Sequence, residues 1–252
     1  MPPEQALLQR RGRLRFGWAL DDALALSEHD LPGRPVVVVD VLSFCTTVSV
    51  ALDRGIEVYP YRWTDERAPG YAEQLSATLA RGRRHHGISL SPDSVRTSDG
   101  IQRLVLPSPN GATIVAELAA RGSRVVAGCL RNSAAVGHWL RSLLDADPAM
   151  TVTVIAAGER WPDGSLRPAV EDLWGAGAVL AAIGADVPAS PEARAAMAAY
   201  AASAPNLAAE LRDCAGGQEL IGYGFAEDVA IAAELDRSAI VPVLTENRFT
   251  AG

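Results

Sequence analysis

Short apolar runs alternate with helical periods along most of the chain. Runs at 14–16, 36–41, 56–61, 104–106, 124–127, 151–156 and 240–244 are mostly rich in valine, isoleucine and leucine, several with little period-two alternation. Strands of that kind are covered on both faces, as central strands of a layered sheet are. Other windows repeat at helical spacing. In 133–146, Val136, Trp139, Leu140, Leu143 and Leu144 share one stripe, with Ser133 placed to cap it. In 112–122, Ile114, Val115 and Leu118 form a stripe that ends at Gly122, where a C′ glycine is expected. The window 170–184 reads as a buried helix, and its Gly175 and Gly177 point to a close neighbour. Residues 188–217 are alanine-rich and helical, with breaks at Pro191 and Pro205; a turn at 222–225 and a last helix precede the final strand. The pattern predicts a three-layer α/β/α fold with a mostly parallel or mixed sheet, residues 1–252 forming one domain.

Two stretches read alike: strand, polar loop, helix, Arg-Gly, strand. They begin near residues 36 and 104, and Gly55 matches Gly122 at an offset of 67 (122 − 55). The same offset sets Arg54 on Arg121, Thr46 on Thr113 and Ser43 on Asn110. Such pseudo-repeated units place two similar loops at the carboxyl ends of two strands, where open α/β sheets hold their ligands.

Composition narrows the function classes. A net charge of −7 disfavours general binding to nucleic acid or to a membrane surface. No apolar run reaches the roughly 18 residues of a bilayer span, and the amino terminus has no apolar core of a secretory signal. Three cysteines, Cys45, Cys129 and Cys214, make neither a disulfide framework nor a CxxC pair, so a reduced cytoplasmic enzyme is expected. All 23 basic residues are arginine. That excludes a Walker lysine, a Schiff base and a lysine general base, and leaves arginine or a metal to meet an anion.

Candidate chemistry clusters in the loops after strands. Asp40 follows four valines and would be costly to bury unpaired. It is read as a carboxylate delivered to a strand end, to hold a metal or a proton or to cap the next helix. Ser43, Thr46 and Thr47 follow at a helix amino end, as an anion site or as ordinary caps. Asn110 and Gly111 form a second loop, a tight turn or a nest aimed at an anion. Arg131 and Asn132 close a third; Glu159 and Arg160 follow the strand at 151–156. Glu171 and Asp172 open a helix, about 100° apart, so they cannot face one point symmetrically. Asp40, Glu159, Glu171 and Asp172 together suit a hard, oxygen-liganded Mg²⁺. Asn110, Arg131 and Arg160 suit a small anionic substrate. Position 6 after each cysteine is Ala51, Ala135 or Leu220, so the cysteine-phosphatase loop is absent. The segment 83–87, Arg-Arg-His-His-Gly, reads as a solvated basic loop, and no HExxH or HxxxH zinc pattern occurs.

Taken in order, VVVDVLSFCTT, SPNGATI, GCLRNSAAV, AAGERW with VEDLWGAGAVL, and GFAEDVAIAAELDRSAIVPVL resemble the 2-phosphosulfolactate phosphatase (ComB) family. The resemblance runs from about residue 36 to the end. It implies a three-layer α/β fold and Mg²⁺-dependent hydrolysis of a phosphate monoester, 2-phosphosulfolactate or a related 2-phospho acid, a reaction that serves coenzyme M biosynthesis in some organisms. Catalytic roles then fall to Asp40 and to Glu171 or Asp172. The family usually has arginine where this chain has Ser43. Two other readings stay open: a non-catalytic anion-binding member, and a phosphatase for a different ester. The sequence also leaves open a homodimer, since GAGAVLAAIG could serve a subunit contact as readily as internal packing.

Overall fold

A computed structural model describes residues 7–27, 33–62, 66–83 and 87–252; His29, His85 and His86 lie outside these. The strands are β1 (Leu14–Trp18), β2 (Pro35–Val39), β3 (Glu57–Arg62), β4 (Thr78–Leu79), β5 (Arg103–Ser108), β6 (Arg124–Gly128), β7 (Val152–Ala156), β8 (Glu159–Arg160), β9 (Leu166–Arg167), β10 (Pro242–Thr245) and β11 (Arg248–Ala251). Nine of them form one mixed sheet in the order β1-β7-β2-β6-β10-β11-β3-β5-β4, while β8 and β9 pair as a separate hairpin. Strands β1, β7, β2 and β6 are parallel, as are β3, β5 and β4. The antiparallel hairpin β10–β11 joins the two groups through one residue pair on each side, Val243–Val126 and Phe249–Val58.

Both faces of this sheet are packed, which explains the unbroken valines of β2. Val37 and Val39 belong to one apolar cluster with Leu140, Trp174, Val179 and Ala196. Val36 and Val38 belong to the other, with Phe44, Val48, Val115, Leu118 and Phe249. The result is the layered α/β architecture expected from the pattern. All seven strand runs read from the sequence are present. The structure adds β4, β8, β9 and β11, which were not read.

The two pseudo-repeated units are β2–α2–β3 and β5–α5–β6, where α2 is Phe44–Asp53 and α5 is Gly111–Ala120. Their strands do not pair within a unit. Instead β2 pairs with β6 and β3 with β5, so each unit completes the other. Gly55 and Gly122, the aligned glycines, both have positive φ (73° and 79°) just past their helices, as helix-ending residues require.

Helix α6 (Ser133–Ala146) follows the predicted stripe, with Val136, Leu140 and Leu144 buried and Trp139 and Leu143 half-buried. Ser133 is its first residue rather than its cap. The start is satisfied from afar: an Asp236 oxygen accepts from Ser133 Oγ at 2.7 Å and from Ala134 N at 2.8 Å. Helix α7 (Val170–Ile183) is buried along nearly its whole length. Its GAGAVLAAIG segment packs internally, and a Cβ on Gly177 would collide with the carbonyl of Ala196 on α8 (Pro191–Ser203). Gly177→Ala is therefore expected to lower unfolding stability by about 1–3 kcal/mol in urea titration. Gly70→Ala, where an added Cβ meets nothing within 4 Å, should stay within about 1 kcal/mol of wild type, on the stabilising side.

Candidate active site

The site is organised by Asp40, one residue beyond β2. Its Oδ1 accepts from Phe44 N, at the start of α2, at 3.0 Å. Its Oδ2 accepts from Gly111 N, at the start of α5, at 3.1 Å. The Asp40 carbonyl also accepts from Cys45 N at 2.9 Å. Two helix amino ends, each carrying partial positive charge, thus converge on one carboxylate. Glycine at 111 is required by this approach, since a Cβ there would lie 2.7 Å from Asp40 Oδ2 and 2.6 Å from the Phe44 ring. The amino ends that the sequence offered to a substrate anion are taken by the protein's own acid.

Asp40 opens into a cavity of about 770 Å³. Ser43, Asn110, Glu159, Arg160 and Glu171 share its wall, joined by Arg83, Arg167, Glu219 and an apolar side of Leu42, Leu90, Leu220 and Phe225. Loops after β2, β5 and β7 and the first turn of α7 therefore meet at one place. Asn110 Nδ2 donates to Glu159 Oε2 at 2.8 Å. Gly216 leaves room for the Glu171 carboxylate, which a Cβ at that position would strike.

Other residues read as site candidates are engaged elsewhere. Asp172 lies off the wall: its Oδ1 accepts from Val41 N at 2.7 Å and its Oδ2 from Gly158 N at 2.9 Å. It clamps the loops that carry Asp40 and Glu159. Thr46 Oγ1 donates to the Val41 carbonyl at 2.7 Å and Thr47 Oγ1 to the Leu90 carbonyl at 2.8 Å. Arg131 points away into a buried network, with Nη2 2.8 Å from Asp53 Oδ2 and Nη1 on Glu234. Asn132 caps its own turn, accepting from Cys129 N at 2.8 Å. These groups hold the loops in place and do not face the cavity.

The sequence reading missed two cavity arginines. Arg83 stood in the segment taken as a solvated basic loop. Its Nη2 donates to Ser43 Oγ at 2.6 Å and pairs with Asp228 Oδ2 at 3.1 Å. Arg167 lies on β9, opposite Glu159 in the β8–β9 hairpin, and pairs with Glu219 at 3.3 Å. The turn signature Pro162-Asp163-Gly164 could have revealed that hairpin.

Crowding of acids dominates the electrostatics. Burial pushes the Asp40 carboxyl up to about 6, against the lowering effect of its two backbone hydrogen bonds and of Arg83, and with a further rise from Glu171. Burial, followed by repulsion from Asp40, pushes Glu159 up to about 7, although Asn110 and Arg167 favour its charged form. Glu171 is also raised by burial, and Asp172 stands well above the usual carboxylate range through burial, then Asp40 and Glu171. Among the described residues no three His, Cys, Asp or Glu side chains form a ready-made metal cage. Mg²⁺ does not need one, since it commonly takes one or two carboxylates and fills its shell with water and phosphate oxygens. The all-oxygen donors Asp40, Glu159 and Glu171, each raised by burial, fit such an ion.

The 2-phosphosulpholactate phosphatase family matches this chain over residues 23–247. A 2-phosphosulfolactate phosphatase of Methanothermobacter thermautotrophicus is 32% identical over 217 residues, 84% of this chain and 88% of that protein. Proteins named probable 2-phosphosulfolactate phosphatase in Pseudothermotoga lettingae and Deinococcus radiodurans are 29% and 30% identical, over 90% and 86% of this chain and 97% and 93% of their own lengths. An α/β protein with an acid-lined cavity at its strand ends, the chain belongs to the 2-phosphosulpholactate phosphatase family.

Acids with raised folded-state values favour the folded state most when protonated. Their contribution is full below about pH 4 and is lost as pH rises through about 6 for Asp40 and about 7 for Glu159. Glu159→Gln, which keeps the shape and removes the charge, should therefore raise Tm by a few degrees at pH 8 in metal-free buffer. The gain should shrink as pH falls to about 4.5, the ordinary glutamate range.

Proposed function

We propose that the cavity hydrolyses a small anionic phosphate monoester, 2-phosphosulfolactate or a related 2-phospho acid, with Mg²⁺. The observation that carries this reading is the meeting of Asp40, Glu159 and Glu171 with three arginines in one cavity. Family membership and the names of the relatives support the same substrate class. Asp40 and Glu171 would hold the ion, which when bound neutralises phosphoryl charge. Asp172 would keep the Asp40 and Glu159 loops at a fixed separation by its two backbone contacts.

Phosphoryl transfer asks mainly for positioning and charge neutralisation, so the lack of a cysteine or histidine nucleophile among the described residues of the cavity wall is no obstacle. Glu159, held by Asn110 and raised to about 7, is placed to take a proton from an attacking water near neutral pH. Arg167 balances the charge of Glu159 and Glu171, and Arg160 stands exposed at the rim. The reading extends to a reaction in the cytoplasm, consistent with the three unpaired buried cysteines. No helix among the described residues is long and apolar enough to cross a membrane.

Purified protein should release inorganic phosphate from 2-phosphosulfolactate or 2-phospholactate in Mg²⁺ buffer and stop in EDTA. Asp40→Asn should lower kcat/KM by about 10²-fold or more, on the scale of lost charge stabilisation in a dry site. Release that persists unchanged in EDTA would remove the metal from the proposal. Tight ligand binding with no turnover of any ester would make the chain a binding protein.

A further inference from the structure

We propose that Arg83 grips the anionic group of the substrate that is not transferred, a carboxylate or sulfonate, and so sets a preference for phospho acids over phosphate esters of neutral alcohols. This rests on the reading of the cavity as a phosphatase site. The three arginines among the described cavity residues are not equivalent. Arg167 is the cation that acts on Glu159 and Glu171, and Arg160 is exposed with its Nη1 on the Gly164 carbonyl at 3.0 Å. Arg83 is the one beside Asp40 and Ser43, on the wall that also holds Leu90 and Phe225.

Its placement is fixed in advance. The guanidinium lies over the Phe225 ring, 5.2 Å from the centroid, and Nη2 is held between Ser43 Oγ and Asp228 Oδ2. Asp228 is itself buried and anchored, its Oδ1 accepting from Ser91 Oγ at 2.5 Å and Asp93 N at 3.3 Å. The acid's charge is thus shared among three donors rather than spent on the arginine alone. A guanidinium has five N–H donors, and the contacts shown use only Nη2. Arg83 Nε is buried with no hydrogen-bond partner among the described residues. Nη1, which no contact among the described residues uses, is the open arm of this pre-set fork, and the side chain keeps 19% of its surface accessible. A planar carboxylate or a sulfonate face supplies oxygens of the required geometry. The other sources of positive charge near Asp40, the amino ends of α2 and α5, are already taken by its carboxylate.

The test compares wild type with Arg83→Met, Arg83→Lys and the double variant Arg83→Met with Asp228→Asn, which avoids leaving a buried unpaired acid. Thermal melts establish folding. Turnover is read with 2-phospholactate and with p-nitrophenyl phosphate, whose leaving group has no second acid. Binding is read by calorimetry with 2-phospholactate and with inorganic phosphate. The Met variants should lose 10- to 100-fold in kcat/KM for 2-phospholactate, mostly through KM, the range expected for charge-assisted hydrogen bonds. Their loss for p-nitrophenyl phosphate and for phosphate binding, which reports the effect of Arg83 on Asp40 alone, should be at least tenfold smaller, and Lys should fall between. An equal loss on both esters, or no loss on either, overturns the clamp while leaving the phosphatase reading intact. Wild type that binds 2-phospholactate through Arg83 but turns over neither ester upholds the clamp and sinks the phosphatase reading. No wild-type binding of 2-phospholactate overturns the clamp.

Discussion

Everything in the cavity follows from the way one carboxylate is buried. Asp40 is kept at the end of an apolar strand by the amino ends of two helices from two pseudo-repeated units. Each such contact is worth at most about 1–2 kcal/mol, while an uncompensated buried charge costs far more. The balance leaves Asp40 raised rather than lowered, and its neighbours Glu159 and Glu171 share that fate. Arg83 beside Asp40 and Arg167 beside Glu159 and Glu171 offset part of that crowding.

The same arrangement decides how anions can be recognised. Many phosphate sites use the free N–H groups of a helix start. Here Phe44 N and Gly111 N point at Asp40, and in a chain without lysine the cationic side chains among the described residues of the wall are arginines. Arg160 and Arg167 arrive from the β8–β9 hairpin and Arg83 from the segment after β4. Asp40 and Glu159 come from loops after strands and Glu171 from the first turn of α7, and the cavity wall carries both signs of charge.

The parts of this design visible in the sequence are those fixed by periodicity or by an abrupt change of chemistry. The valine run, the stripes of α5 and α6 and the polar residues after strands belong to that class, and Asp40, Asn110, Glu159 and Glu171 were found through them. Arg83 was hidden in a segment read as a solvated basic loop, and the strand before it, β4, is only two residues long. Read as a strand, it would have put Gly82 and Arg83 at a strand end like the other loops. Arg131 misled for the opposite reason. It follows a strand as a site residue should, but Asp53 and Glu234, distant in sequence, draw it into a structural network. Asp172 and Asn132 likewise have the chemistry of ligands, and only the positions of their backbone partners show that they serve as braces.

The mutual completion of the two units also shapes how the chain reaches its native state. Neither β2–α2–β3 nor β5–α5–β6 contains a strand pair of its own, and the β2–β6 and β3–β5 pairings each need both units in place. The hairpin that bridges the two groups of strands comes after every other strand. Assembly must therefore wait for contacts between distant residues, the regime in which loop-closure entropy makes folding slow. During synthesis on a ribosome, the sheet could close only after the β10–β11 hairpin has emerged.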